Sequence, residues 1–337
     1  LKMIKKERFF VLFVLLMVLT FSFSTVLFAE EYNIAVIVKA TDSGFWQDLF
    51  TGAEAADKKM DNVKITKHGP TSEADIAEQV SILENVISRR PDAIVIASTS
   101  SDATVPSLER AYDLGIKIIT IDNKVNTDKI NSHLATDNIK GGKLAAEMFV
   151  KLVKEHGNSI DSGKVGIISS MAGVQVLADR DKGFITGLKE YAPNLELLET
   201  RYVNNRIAEA LSTAEDILTS NAEALVGFFA DNNHTGIGTA RAIEERKLTD
   251  KLPVVAFDAD DDEKRALQNG SIDCLIVQDP FGMGYKGVQF AVDAIEGKEL
   301  PKYVDTGVVA VTKDNFDDEE IYYLLNPQKR AEAVLAE

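Results

Sequence analysis

The 337-residue chain holds a single cysteine, Cys274, which rules out an intramolecular disulfide and any thiolate metal cage. Its four histidines, His68, His133, His156 and His234, form no HExxH motif and no close pair. Neither a GxSxG elbow nor a GxxxxGK loop occurs, so no catalytic residue, no metal and no cofactor is expected. Basic residues are scarce: 37 Lys and Arg stand against 53 Asp and Glu, a formal net charge of −16. Nucleic acid, whose phosphates need Lys and Arg, is therefore not an expected partner. Glycine (21) and proline (8) are spread thinly, and no low-complexity linker separates one part of the chain from another.

Only one long hydrophobic run exists, and it lies at the start. Lys2, Lys5, Lys6 and Arg8 precede the unbroken apolar stretch Phe9 to Leu19, and Leu27-Phe28-Ala29 offers a cleavage site before Glu30. This is the layout of a secretory signal peptide over residues 1–29; the alternative is an uncleaved anchor of nearly bilayer-spanning length. With the only cysteine far from this region, no lipoprotein box is present, so a periplasmic chain without a lipid anchor is expected. Loss of four basic residues and one acidic residue with the leader moves the net charge from −16 to about −19.

The remaining residues exceed what one hydrophobic core usually supports, so two domains are expected. From Asn33 onward, short runs rich in Val, Ile and Phe alternate with helical spacing. The predicted strands are Asn33 to Val38, Val63 to Lys67, Ala93 to Ala97, Lys117 to Ile121, Lys164 to Ser169, Leu195 to Arg201, Ala224 to Phe229, Val254 to Phe257, Ile272 to Val277 and Val308 to Val311. Helices are read between them, among them Glu73 to Arg89 with Thr71 and Ser72 at its cap, and Gly282 to Ile295. Such alternation predicts α/β architecture with parallel sheets and helices on both faces. The best candidates for crossings between domains are His133 to Asp137, Gln278 to Pro280 and Asp305 to Gly307.

Four apolar runs stop on a carboxylate or carboxamide: at Asp122-Asn123, Asp231-Asn232, Asp258 and Gln278. In open α/β sheets ligands bind outside the carboxyl ends of the strands, so these tips are expected to converge on one cleft. Phe45 and Trp46, the only tryptophan, follow the first strand closely, and Arg180 sits one turn into the helix after Lys164 to Ser169. Planar, multiply bonding side chains combined with aromatic plates suit a monosaccharide, which presents hydroxyls around a ring with apolar C–H faces. Each residue also has a plain structural reading. The aspartates serve as helix caps, the aromatics pack a helix on its sheet, Arg180 pairs in solvent with Asp179 and Asp181, and Gly141-Gly142 is a packing device.

In their order and spacing these residues resemble the type I periplasmic binding proteins for monosaccharides, within them the ribose- and allose-binding proteins. The segments that carry the resemblance are Ile34 to Lys39, Phe45-Trp46, Asp122-Asn123, Thr136-Asp137-Asn138 with Gly141-Gly142, Arg180 with Gly183-Phe184, Asp231-Asn232, Phe257-Asp258 and Gln278-Asp279-Pro280. It implies two Rossmann-like lobes joined by a three-crossing hinge: residues 31–135 plus 280–306 in the first, 136–279 plus 307–330 in the second. It also implies that Phe45 and Trp46 stack on the sugar while Asp122, Arg180, Asn232, Asp258 and Gln278 bond its hydroxyls, Asp231 being left as a helix cap. Lys39 resembles the allose proteins and favours a pyranose aldose, whereas Asn123 departs from the ribose pattern. Asn204 stands where an aromatic would complete the stack.

The resemblance further implies a non-enzymatic, monomeric substrate-binding component of a sugar ABC transporter, delivering its ligand to a membrane permease, with a chemoreceptor as a further candidate partner. Lys39 and Gly69 to Glu73 are also similar to autoinducer-2 receptors of this fold, which lack the Arg180 equivalent; that ligand, or a polyol, ranks second. A sensing module partnering a chemoreceptor or sensor kinase, and a secreted sugar enzyme, are the remaining alternatives. Regulators of the lactose-repressor type share the fold but carry a DNA-binding segment where this chain has a secretion signal.

Overall fold

The computed structural model describes residues 31–337; the expected leader, residues 1–29, lies outside them. The first half of the chain alternates strand and helix: β1 (Tyr32–Ile37), α1 (Gly44–Lys59), β2 (Val63–His68), α2 (Ile76–Ser88), β3 (Ala93–Ile96), α3 (Val105–Asp113), β4 (Lys117–Ile121) and β5 (Ser132–Ala135). A second series follows with α4 (Asn138–Glu155), β6 (Lys164–Ser169), α5 (Gln175–Tyr191), β7 (Glu196–Leu197), β8 (Arg201–Tyr202), α6 (Ile207–Ser220), β9 (Leu225–Ala230), α7 (Asn233–Glu245), β10 (Val254–Phe257), α8 (Asp261–Asn269) and β11 (Cys274–Val277). The chain ends with α9 (Pro280–Ile295), β12 (Tyr303–Asp305), β13 (Val309–Val311), α10 (Glu319–Leu325) and α11 (Pro327–Ala336).

These strands form two sheets, in the order β12-β5-β4-β3-β1-β2 and β13-β11-β10-β9-β6-β7, with β8 also pairing β6. Every pairing is parallel except β11 with β13. The interior strands β3, β9, β10 and β11 are buried along their whole length and covered on both faces, as their unbroken apolar sequences require. The architecture is the expected α/β pair of lobes. Helix α9 returns to the first sheet, where Met283, Val288 and Ala291 join the core around Val36, Val95 and Ile119.

Several local expectations need correction. Ser132–Ala135 and Tyr303–Asp305 are strands at the edge of the first sheet, paired in register from Tyr303 with His133 to Asp305 with Ala135. Their sequences are too short and too polar to show a period. The expected strand Leu195 to Arg201 is split into β7 and β8, both largely exposed. Helix α2 starts at Ile76 after Asp75, so Thr71 and Ser72 are not its cap and Glu73 lies in the preceding loop. Finally, the acidic stretch after Thr312 leads into two helices whose short apolar patterns carried no clear signal.

Three strands of chain pass between the lobes, at 135–138, 277–280 and 305–309. The first and third lie side by side. The Thr306 amide donates to the Ala135 carbonyl at 3.0 Å, and the Asp305 carboxylate accepts from the amides of Asp137 (3.2 Å) and Gly307 (2.9 Å). In the second crossing, Asp279 caps α9 through the Gly282 amide and receives both terminal nitrogens of Arg330.

Gly141 and Gly142 pack rather than bind. A Cβ on Gly142 would stand 2.1 Å from the Arg180 carbonyl oxygen, and one on Gly183 would stand 2.2 Å from that of Ile139. Helices α4 and α5 thus meet backbone to backbone, and this contact sets the position from which Arg180 projects. Gly142→Ala should overpack it and cost about 1–3 kcal/mol. Urea unfolding should show a lower midpoint for this variant, and an unchanged midpoint would mean that the two helices separate freely.

Candidate functional site

The carboxyl ends of β1, β4, β9, β10 and β11 face one another across the space between the two sheets. Lys39, Asp122, Asn232, Asp258 and Gln278 follow those five strands and line one cavity, together with Phe45, Trp46 and Arg180. The cavity encloses about 360 Å³ of unfilled space, its open mouth included. Eight of the nine residues expected to bind are thereby brought together.

On the first lobe, Lys39 Nζ lies 2.5 Å from Asp122 Oδ2, with both residues at most 3% exposed. A buried ion pair offsets its desolvation only if its remaining valences are well placed. Lys39 Nζ also lies 5.6 Å from the centre of the Trp46 ring. Trp46 and Phe45 meet edge to face, centroids 4.7 Å apart, at the start of α1. They form an apolar plate directly beside the ion pair.

On the second lobe, Arg180 is buried and fixed by its own donors. Its Nε donates to Asn138 Oδ1 at 2.8 Å, its Nη1 donates to the Asp231 carbonyl at 2.9 Å, and its guanidinium lies 4.3 Å from the Phe257 ring centre. Asp258 Oδ2 is 3.9 Å from Arg180 Nη1, and Asp258 Oδ1 accepts from Gln278 Nε2 at 2.8 Å. Burial raises the Asp258 carboxyl above the usual carboxylate range, while Arg180 and Gln278 pull it back. Gln278 Oε1 is buried with no hydrogen-bond partner among the described residues, a free acceptor at the cavity wall. The reading of Arg180 as a solvated pair with Asp179 and Asp181 does not hold.

Both aspartate tips stand in left-handed backbone, Asp122 at φ 62° and Asp258 at φ 77°. Non-glycine residues are uncommon there, and such conformations cluster where a ligand site constrains the chain.

Asn232, expected as a ligand contact, also takes the capping part expected of Asp231. Asp231 is no cap: it accepts from the Ser170 amide at 2.9 Å and from the Ser169 hydroxyl at 2.5 Å. Asn232 caps α7 in a capping box with Thr235, and donates through Nδ2 to Asn205 Oδ1 at 2.8 Å while still lining the cavity. Asp258 does not cap α8, which Asp260 caps; its carboxylate instead accepts from the Asn233 backbone at the start of α7.

Asn123 is the expected residue that the cavity excludes. Its Nδ2 turns into the first lobe, toward the Thr99 carbonyl (3.3 Å) and the Ser101 hydroxyl (3.4 Å). Asn204 is likewise remote, exposed and bonded to Glu209. In place of a further aromatic, Val174, Val176 and Leu177 form an apolar wall at the start of α5. Ser43, Glu73 and Asn233 complete the lining. Sequence reasoning missed the three apolar residues although the Gly173-Val174 step marks them. It could not find Glu73, which an N-terminal helical turn explained equally well.

At the mouth the lobes touch. Asn233 Nδ2, on the second lobe, donates to Ser43 Oγ at 3.0 Å and reaches Asp260 Oδ2 at 3.2 Å. Gly44 permits this approach, since a Cβ there would lie 2.9 Å from that of Asp260.

A periplasmic binding protein domain matches residues 34–299. The chain belongs to the periplasmic binding protein family. This periplasmic binding protein is similar to a carbohydrate transporter solute-binding protein from Agrobacterium radiobacter, solved with D-arabinose. The two share 36% identity and a TM-score of 0.84 over 88% of this chain and 100% of the other. An ABC transporter solute-binding protein from Agrobacterium vitis with bound D-fucose shares 35% identity and a TM-score of 0.81, over 86% and 98%. The ribose import binding protein of Escherichia coli is 26% identical over 269 residues, 80% of this chain and 86% of its own length.

Beside the mouth, burial raises the Asp48 carboxyl on α1 to about 7; Asp261 and Asp260 of the second lobe add to the rise and Lys264 opposes it. Its folded value lies above its ordinary value of 3.8, so the protonated form is the one that favours this conformation. The associated stability is complete below about 4 and is lost as pH rises through about 7. Asp48→Asn should therefore melt above the unsubstituted protein at pH 8 and together with it at pH 4. Parallel melting curves across that range would place Asp48 in water.

Proposed function

We propose that this chain is an extracytoplasmic receptor for a monosaccharide, with a pyranose aldose as the favoured form, which it presents to an ABC permease. One observation carries the reading: a buried ion pair and aromatic plate on one lobe face Arg180, Asp258 and Gln278 on the other across a single cavity. Ring hydroxyls satisfy charged and planar groups from several directions at once, and the ring's C–H face covers the Phe45-Trp46 plate. The solved relatives that hold D-arabinose and D-fucose support the same class of ligand.

Because both lobes contribute bonds, closure is selected by the ligand, which interacts fully with the closed arrangement alone. A monomer exported by residues 1–29 and left free in the periplasm is the accompanying reading, with a chemoreceptor as a second reader of the closed form. Turnover is not part of it: the relatives it matches are binding and transport proteins, and sugars incubated with the protein should be recovered unchanged. Autoinducer-2 is the second ligand; the Lys39–Asp122 pair would suit it, while Arg180 favours a sugar.

Titration calorimetry of the mature protein against pentoses, hexoses, polyols and autoinducer-2 tests the reading. At least one monosaccharide should bind and raise the melting temperature by mass action. Silence from every sugar would sink it. Asp258→Ala should weaken the best ligand by about a hundredfold, the scale of a lost charged hydrogen bond together with the loss of the carboxylate that faces Arg180. An affinity within about threefold of the unsubstituted protein would remove Asp258 from the site.

A further inference from the structure

The loop between β2 and α2 puts a carboxylate into the cavity wall that none of the strand tips accounts for. Glu73 Oε1 accepts from the Trp46 indole N–H at 2.7 Å, so the aromatic plate is held by its polar edge. The second oxygen, Oε2, takes no hydrogen bond among the described residues, although Glu73 lines the cavity beside Lys39 and Asp122. Burial raises this carboxyl above its ordinary range, Lys39 and the indole N–H draw it down, and His234 reaches it electrostatically from the opposite lobe. A half-free carboxyl group between a cation and an aromatic plate meets whatever hydroxyl projects past the edge of the stacked ring.

We propose that Glu73 is a specificity-determining ligand contact, whose Oε1 fixes Trp46 and whose Oε2 bonds one hydroxyl of the monosaccharide stacked on that ring. The inference rests on the sugar reading above and adds to it the residue that ranks one sugar over its epimers. The arrangement couples two tasks in one side chain: the oxygen that holds the plate sets where the other one lies. A sugar with that hydroxyl inverted or missing leaves this acceptor in the cavity wall unpaired, and rejection by an unpaired group is far steeper than rejection by a lost apolar contact.

Glu73→Gln tests this, because the amide oxygen keeps the bond from Trp46 while the second position becomes an N–H donor. Circular dichroism and thermal melting establish that the variant folds. Calorimetry is then run with the best sugar, its epimers and its monodeoxy analogues. The unsubstituted protein should lose about tenfold or more on removal of one particular hydroxyl, and Glu73→Gln, which offers that hydroxyl only a neutral N–H, should shrink that difference while the other deoxy penalties persist. Glu73→Asp, which keeps the charge but withdraws the oxygen, should blunt the same penalty. Equal affinities and an unchanged ranking in Glu73→Gln would show that Glu73 only supports Trp46 and would overturn the proposal alone. An unsubstituted protein that binds no monosaccharide overturns it together with the sugar reading.

Discussion

Arg180 is a permanent cation with almost no access to water, and an uncompensated charge in that position costs several kcal/mol. Its compensation comes from widely separated parts of the chain: the Asn138 side chain at the first crossing, the Asp231 carbonyl at the end of β9, and the Phe257 ring and Asp258 carboxylate at the end of β10. The second wall of the cavity therefore forms as a unit when α4, α5 and the strands dock. Its backing is acidic as well. Asp181, the next residue on α5, is pushed up to about 6 by burial, and Asp231 is raised by burial and by Asp181. The guanidinium so stands between ligand-facing and interior carboxyl groups, and its charge draws the interior pair back against the rise that burial imposes.

The two lobes solve the same geometric problem alike. In each, a strand ends on an aspartate in left-handed backbone whose amide donates to the neighbouring strand, Asp122 to Leu134 and Asp258 to Ile276. The chain thus leaves the sheet at the carboxylate itself, and the side chain is placed by strand pairing rather than by a mobile loop. Sites built on rigid elements hold their geometry better than sites built on loops.

Much of this was legible in the sequence because it depends on periodicity and on residue type at strand ends. Unbroken runs such as Leu225–Ala230 and Val254–Phe257 announce buried parallel strands, and the polar residue that stops each run announces the sheet edge. What stayed hidden depends on partners. Asp231 and Asn232 are adjacent planar side chains, a carboxylate and a carboxamide, at a helix start, and Ser169 and Ser170, distant in sequence, draw the first away and leave the second to cap. Asn123 has the right chemistry and the wrong direction, because the left-handed turn at Asp122 sends it back under the first lobe. Strands of three and four residues, β12 and β5, carry too few positions to declare a face.

Helices α10 and α11 meet at Asn326 without an intervening linker. Ile321 and Leu325 of the first are embedded in the second lobe's core, where the Leu325 carbonyl accepts from Lys264, while the second helix lies on α1 of the first lobe and its Val334 carbonyl accepts from Lys59. Arg330, between these attachments, grips Asp279 and covers the Phe281 ring. The tail is a strap sewn to both halves beside the middle crossing. Any swing that opens the cavity must either flex at Asn326 or unpick one of the seams, so the carboxyl terminus has a say in how far apart the halves can travel.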